Sequence, residues 1–132
     1  MKVVVLKGGV SAEREVSLRS GAAVAKALRE KGFETVELDV TSKSFSVPYC
    51  DIVFIALHGT FGEDGEVQEF LAQQRLCYTG CGPEASRRAF DKVISKKVFV
   101  EKSVPTPRFE ISHKNKKPTL ELPFVVKPSR QG

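Results

Sequence analysis

The 132-residue sequence predicts an α/β fold, a mostly parallel sheet flanked by helices. Three observations carry that expectation. The apolar run Val3-Val4-Val5-Leu6 is followed by the turn residues Gly8-Gly9 and then by helical spacing, which is a strand, a tight turn and a helix. Asp51-Ile52-Val53-Phe54-Ile55-Ala56-Leu57 is a second continuous apolar run, of the kind a strand shows when it is buried on both faces. Between them lie a long helical stretch and an alternating segment, so the order is βαβ, with a right-handed crossover expected.

Taken in order, Lys2–Leu6 is the first strand. Residues 12–31 read as one helix, with Val16, Ser20, Ala23 and Ala27, joined by Val24 and Leu28, forming an apolar stripe at three-to-four spacing. Ser11 is a suitable N-cap and Gly32 a suitable left-handed C-cap. The small residues Gly21, Ala22, Ala23 and Ala25 allow close approach to a sheet. Glu34–Val40 alternates Val36, Leu38 and Val40 with charges, as a strand near a sheet edge does. Residues 41–49 are polar and contain Pro48, so they read as irregular. Glu66–Gln74 is a helix with Val67, Phe70 and Leu71 inward, capped by Asp64. Leu76–Thr79 is a short strand. Pro83 opens a helix through Phe90, and a further helix spans residues 91–102, with Ile94, Val98 and Phe99 inward. Ser103-Val104-Pro105-Thr106-Pro107 breaks the regular structure, because residues before proline avoid the α region. Phe109–Ser112 and Phe124–Lys127 read as strands joined by an exposed turn at 113–118, in which His113 is solvated.

Two domains are expected, residues 1–90 and the start of a second from 91 to 132. Charge divides the chain near the same point. Residues 1–86 carry 9 Lys/Arg and 12 Asp/Glu, a formal −3, whereas residues 87–132 carry 12 and 4, a formal +8. The basic segment suits nucleotide phosphates or water; it lacks interleaved aromatics or a nucleic-acid reading motif, so nucleic acid is not expected. No run approaches the roughly 18 apolar residues of a membrane span. The N-terminus lacks a basic start and apolar core of a leader peptide, which sets a cytoplasmic expectation. Cys50, Cys77 and Cys81 are then expected as reduced thiols, and no second pair accompanies Cys77 and Cys81 to make a zinc site.

The candidate site gathers at strand carboxyl ends, where open α/β sheets hold ligands. Gly8-Gly9 permits close backbone approach, and the segment does not follow the dinucleotide pattern G-x-G-x-x-G. Glu13 beside glycine amides suits a ligand with a cationic end such as an amino group. Glu13 and Glu15 also suit a helix N-terminus for purely local reasons. His58 ends the third strand and would share a crevice with Glu13 if the two strands are neighbours; in the plainer reading it is an ordinary polar partner. Oxygen ligands for a hard metal at residues 58–66 do not follow a calcium-loop pattern, and no metal is expected there.

Several motifs in register resemble the D-alanine–D-alanine ligases, ATP-grasp enzymes of peptidoglycan synthesis. They are Gly8-Gly9-Val10-Ser11-Ala12-Glu13-Arg14-Glu15-Val16-Ser17-Leu18 with Ser20-Gly21, His58-Gly59 with Gly62-Glu63-Asp64-Gly65 and Gln68, and Tyr78-Thr79-Gly80-Cys81-Gly82. Ser86, Asp91-Lys92, Lys96, Pro105-Thr106-Pro107 and Leu122-Pro123-Phe124-Val125-Val126-Lys127-Pro128 continue the series. The resemblance covers essentially the whole chain. It departs at Glu69, where a small glycine is common, and at Ala72, where an acidic residue is common.

The resemblance implies a Rossmann-like pre-ATP-grasp domain followed by the beginning of a central ATP-grasp domain. It implies an ATP-dependent ligase that converts one D-alanine carboxylate to an acyl phosphate, which the amine of a second D-alanine attacks with loss of phosphate. Glu13 would hold the ammonium of the first D-alanine and His58 would orient it, with Gly9 and Ser11 also in the substrate site. Lys92 and Lys127 would approach ATP. ATP and Mg2+ serve the full-length enzyme, and a homodimer through the N-terminal domain is implied. The rest of the ATP-grasp machinery has no counterpart in these residues, so the expectation is a chain inactive by itself, with apolar residues Val104, Phe109, Ile111, Phe124, Val125 and Val126 uncovered. The alternatives are a free-standing small-molecule or nucleotide-binding module and a basic interaction protein.

Overall fold

The computed structural model describes residues 1–114 and 117–131. Three parallel strands, β1 (Lys2–Gly8), β2 (Glu34–Val40) and β3 (Ile52–Ile55), form a sheet in the order β2-β1-β3. Helix α1 (Arg14–Glu30) links β1 to β2. Three helices follow β3 among the described residues, α2 (Glu66–Gln73), α3 (Pro83–Phe90) and α4 (Lys92–Glu101).

The apolar run Val3–Leu6 within β1 follows from its central position. Successive side chains point to opposite faces, and both faces are covered. Val4 and Leu6 join Val40, Val53, Leu57, Phe61, Val67 and Leu71 in one core. Val3 and Val5 join Ala25 and Ala56 in the other, beneath α1. Each such fully buried aliphatic side chain contributes about 1.5–3 kcal/mol relative to exposure. The ladder outruns the assigned ends of β3, since Asp51 N–H donates to Lys2 O at 2.9 Å and Ala56 N–H to Leu6 O at 2.9 Å. As expected, β2 lies at an edge, with Val36, Leu38 and Val40 on the core side.

The buried stripe of α1 differs from the expected one. Ser17, Gly21 and Ala25 face the sheet, whereas Val16, Ala23 and Ala27 point to solvent. Small side chains were the better guide than hydrophobic ones here, because the helix sits so close that a Cβ on Gly21 would lie 2.4 Å from the Cβ of Lys7. Ser17 replaces its lost water by donating its hydroxyl to Ala56 O at 2.7 Å. The expected fourth strand, Leu76–Thr79, is reduced to one parallel bridge between Val53 and Tyr78. Thr79 still joins β3 through its amide, on Val53 O at 3.0 Å, and through its hydroxyl, which accepts from Ile55 N at 3.1 Å.

Residues 41–50 are irregular, yet they are not merely polar. Phe45 and Val47 pack on the core, with Phe45 edge-on to Phe61 at 6.3 Å and tilted over Phe70 at 4.6 Å. Glu69, one of the two departures from the family pattern, forms an ion pair with Arg87 that ties α2 to α3.

Beyond α3 the expectations hold less well. Asp91 caps α4, accepting from Val93 N at 2.9 Å and Ile94 N at 3.1 Å. No residue of α4 is buried, and Ile94 and Phe99, expected inward, are 42% and 40% exposed. Neither Phe109–Ser112 nor Phe124–Lys127 is a strand. Two short strands without further strands or a helix to cover one face are marginal in water, and the apolar side chains lie open instead. Val104, Phe109, Ile111, Val125 and Val126 are exposed as expected, and Phe124 is half-buried. The turn expected at 113–118 falls in part outside the described residues; His113 itself is exposed.

Candidate functional site

The parallel register brings the carboxyl ends of all three strands to one edge. At β1 the chain turns through Gly8 (φ +82°) and Gly9 (φ +89°), two consecutive left-handed residues that side chains would resist. Gly9 N–H donates to Val40 O at 2.8 Å, pinning the turn to the end of β2. Arg14 reinforces this seam. Its guanidinium reaches Gly9 O at 3.3 Å, Val40 O at 3.2 Å and the Asp39 carboxylate at 2.7 Å. Asp39 is the chief reason that the Arg14 guanidinium is pushed above its ordinary value. Sequence reading missed this role; the only signal was a basic residue in the first turn of a helix, where the macrodipole disfavours it.

Ser11 does not cap α1 in the expected way. A turn precedes the helix, and Glu13 occupies the cap position without a side-chain cap bond. Ser11 Oγ instead accepts from Glu13 N at 3.1 Å and donates to His58 O at 2.7 Å. The turn after β1 is thereby joined to the residue after β3. Glu13 lies on the same side: a Cβ on Gly59 would fall 2.5 Å from Glu13 Oε2 and 3.0 Å from Ser11 Oγ. The structure therefore brings Gly9, Ser11, Glu13 and His58 to one edge. Glu13 is half-buried, and among the described residues its carboxylate forms no ion pair or side-chain hydrogen bond.

His58 is held from two sides. Its Nε2 lies 2.9 Å from Ser20 Oγ on α1, and its Nδ1 lies 4.0 Å from Glu63 Oε1. Glu63 Oε2 accepts from Gly59 N at 2.7 Å, closing the loop back on itself. Asp64 shapes the same loop, accepting from Phe61 N at 2.9 Å and from Glu66 N at 3.1 Å at the start of α2. It thus serves as the expected acceptor for the helix start, although Gly65 holds the cap position. Phe61 adopts φ +71°, and its ring is buried in the core, which fixes the loop backbone. Ser20 was read as part of an apolar stripe and of the Ser20-Gly21 motif, not as a partner of His58; a hydroxyl one turn beyond Ser17 was the available signal.

The structure has two clefts of note, and the first lies at this edge. An open one of about 390 Å3 is lined by Gly9, Val10, Ser11, Arg14 and Thr41. A larger one, about 1200 Å3, is lined by Lys92 and Lys127 together with Lys96 and Phe109. The two lysines singled out in the sequence thus share a cleft, and neither Glu13 nor His58 lines it. Lys92 is also tied down, its amide donating to Ser129 O at 2.9 Å and its ammonium to Gln131 O. Lys96 donates to Thr106 Oγ1 and to Pro107 O and lies 5.5 Å over the Phe109 ring. Among the described residues, no three His, Cys, Asp or Glu side chains are grouped to hold a metal ion.

Comparison with known proteins agrees with these motifs. Residues 38–81 match the family model described as the D-ala D-ala ligase N-terminus. A D-alanine–D-alanine ligase of Methylacidiphilum infernorum is 44% identical over 98% of this chain and 43% of its own length. That of Hydrogenovibrio crunogenus is 46% identical over 99% of this chain and 44% of its own length. Among solved structures, a D-alanine–D-alanine ligase from Bacillus anthracis complexed with ATP superposes with a TM-score of 0.74 at 30% identity, covering 92% of this chain and 43% of that one. The chain spans less than half the length of these relatives.

Proposed function

We propose, from the premise that this chain belongs to the D-alanine–D-alanine ligase family and corresponds to its N-terminal part, that the edge formed by Gly9, Ser11, Glu13 and His58 is one half of an amino-acid site. The carrying observation is the half-buried Glu13 carboxylate with no ion-pair partner among the described residues. A partly desolvated carboxylate gains most from a ligand that brings its own positive charge. The ammonium of a first D-alanine is that charge, and His58 orients the same molecule.

The whole protein would then join two D-alanines for peptidoglycan synthesis in the cytoplasm. ATP would transfer its γ-phosphoryl group to the first carboxylate and leave as ADP; the amine of the second D-alanine attacks the acyl carbon of that acyl phosphate, its nitrogen loses a proton, the acyl–oxygen bond breaks, and phosphate leaves with its electron pair. Lys92 and Lys127 suit the phosphates of ATP, since both line one open, basic cleft. Mg2+ does not fit the side chains described, as no cluster of acidic ligands is present among them. Residues 1–90 form the amino-acid-binding domain in this reading and residues from 91 onward begin the nucleotide-binding one. The 132 residues alone lack ligase turnover, and pairing of two copies through the first domain is expected of the whole enzyme.

The test is a titration of the chain with D-alanine, followed at the amide signals of Ser11, Glu13 and Gly59, alongside a phosphate-release assay with ATP. Saturable D-alanine shifts that vanish in Glu13→Gln, with no phosphate release, support the half-site. D-alanine shifts that persist unchanged in Glu13→Gln remove Glu13 from the site, and D-alanine-dependent phosphate release overturns the prediction of inactivity.

A further inference from the structure

The His58 ring has two neighbours that ask for opposite tautomers. Glu63 Oε1, 4.0 Å from Nδ1, is too far for a hydrogen bond but attracts a proton to that nitrogen. Ser20 Oγ, 2.9 Å from Nε2, is within hydrogen-bond distance. A serine hydroxyl has a single hydrogen and two lone pairs. In Ser20 that hydrogen has an acceptor in the preceding turn of α1, Ser17 O at 3.2 Å. With its hydrogen directed there, Ser20 offers Nε2 only a lone pair, and the ring must supply the proton.

We infer that Ser20 is a positioning residue for His58, holding the neutral imidazole as the Nε2–H tautomer with the Nδ1 lone pair free on the Glu63 side. The arrangement is rigid on the serine side. The backbone of Ser17 belongs to α1, and its own hydroxyl is used on Ala56 O in the core. The identity of a histidine's protonated nitrogen is set by the hydrogen bond of its other nitrogen. Here a residue on α1 makes that choice for a residue after β3, across the strand–helix packing. Resting on the amino-acid reading above, the consequence is an acceptor at Nδ1, able to take an N–H from a ligand ammonium.

The experiment is 15N spectroscopy of the imidazole nitrogens in the labelled chain, with pH raised until the shifts no longer change, so that the neutral ring is observed. The chain has two histidines, and His113→Gln assigns the pair. The expected wild-type result is a pyrrole-type shift at Nε2 and a pyridine-type shift at Nδ1. Ser20→Ala is expected to lose this pattern, its two shifts converging or exchanging as Glu63 acts unopposed, and Ser20→Thr to retain it. A pyridine-type Nε2 in the wild type overturns the inference even if Ser20→Ala fails to fold, and so does a wild-type pattern in a folded Ser20→Ala. Adding D-alanine separates the two ideas: an Nε2–H ring that does not respond leaves the Ser20 role standing and removes the amino-acid reading.

Discussion

Ser11 donates its hydroxyl to the carbonyl oxygen of His58 at 2.7 Å. This contact joins the turn after β1 to the residue after β3 and makes one edge out of two strand ends. Ser11→Ala should loosen it. Loss of a hydrogen bond of this kind costs about 0.5–1.5 kcal/mol, read as a lower urea midpoint. The amides of Glu13 and Gly59 should exchange faster than those of β1. Unchanged exchange at both amides would falsify the joining role.

Gly59 has φ +69° and its missing Cβ leaves room for Glu13 Oε2. In Gly59→Ala the left-handed backbone costs about 1–2 kcal/mol. The Glu13 carboxylate, being the tip of a flexible side chain, swings away rather than disrupting the fold. If Glu13 holds D-alanine as proposed, the expected outcome is a folded protein whose D-alanine-dependent amide shifts are lost. Retained D-alanine shifts would count against the Glu13 carboxylate as the D-alanine partner.

Gly21 sets two effects against each other. Replacing an interior helical glycine by alanine stabilises by about 1 kcal/mol where there is space. Here the new Cβ would lie 2.4 Å from Lys7 Cβ, an atom close to the strand backbone that cannot step aside. Overpacking of this type costs about 1–3 kcal/mol, so Gly21→Ala should lower the melting temperature. A raised melting temperature would mean that α1 lifts off the sheet at little cost.

The acid limb of stability has a named contributor. Hydrogen bonds from Lys7 and then Arg29 hold the Glu37 carboxyl below its ordinary value. Its stabilising effect is complete above the unfolded carboxylate pKa of about 4.3 and fades as pH falls through the lower folded value. Urea midpoints measured from pH 7 down to about pH 3 should drop less steeply in Glu37→Gln than in the wild type. Parallel curves would remove Glu37 from the account.

Thiol reactivity should follow exposure. Cys77 and Cys81 are exposed, whereas burial, aided by the Asp51 charge, pushes the Cys50 thiol up. Since the thiolate is the nucleophile, mass spectrometry after brief alkylation near pH 8 should find two labels per chain, on Cys77 and Cys81. Early labelling of Cys50 would indicate opening of the seam between Lys2 and Asp51.

The strands were legible because alternation and apolar runs report burial directly. Glu34–Val40 matched residue for residue, and the run ending in His58 marked its strand. The inward face of α1 was not legible from hydrophobicity, since close approach to the sheet selected Ser17, Gly21 and Ala25 over the larger Val16. Glycine spacing pointed to the turn at Gly8-Gly9, but the link from Ser11 to His58 is long-range and leaves no local pattern. The apolar segments near 109–112 and 124–127 have strand-like composition, and composition does not supply the neighbours a strand requires.

Strand order has a consequence during synthesis. β1 is central, pairing with both β2 and β3, yet it precedes both in the chain. At roughly 5–20 residues per second, its four fully apolar residues, Val3–Leu6, wait seconds at the ribosome for Val40 and longer for Ile55 to be added. During that interval they form a short, uncharged, β-prone segment of the kind that pairs with the wrong chain. The lysines on either side, Lys2 and Lys7, stand as gatekeepers: their charge discourages such pairing until β2 arrives with Glu34 and Glu37, the carboxylates that each lysine then meets in the finished sheet.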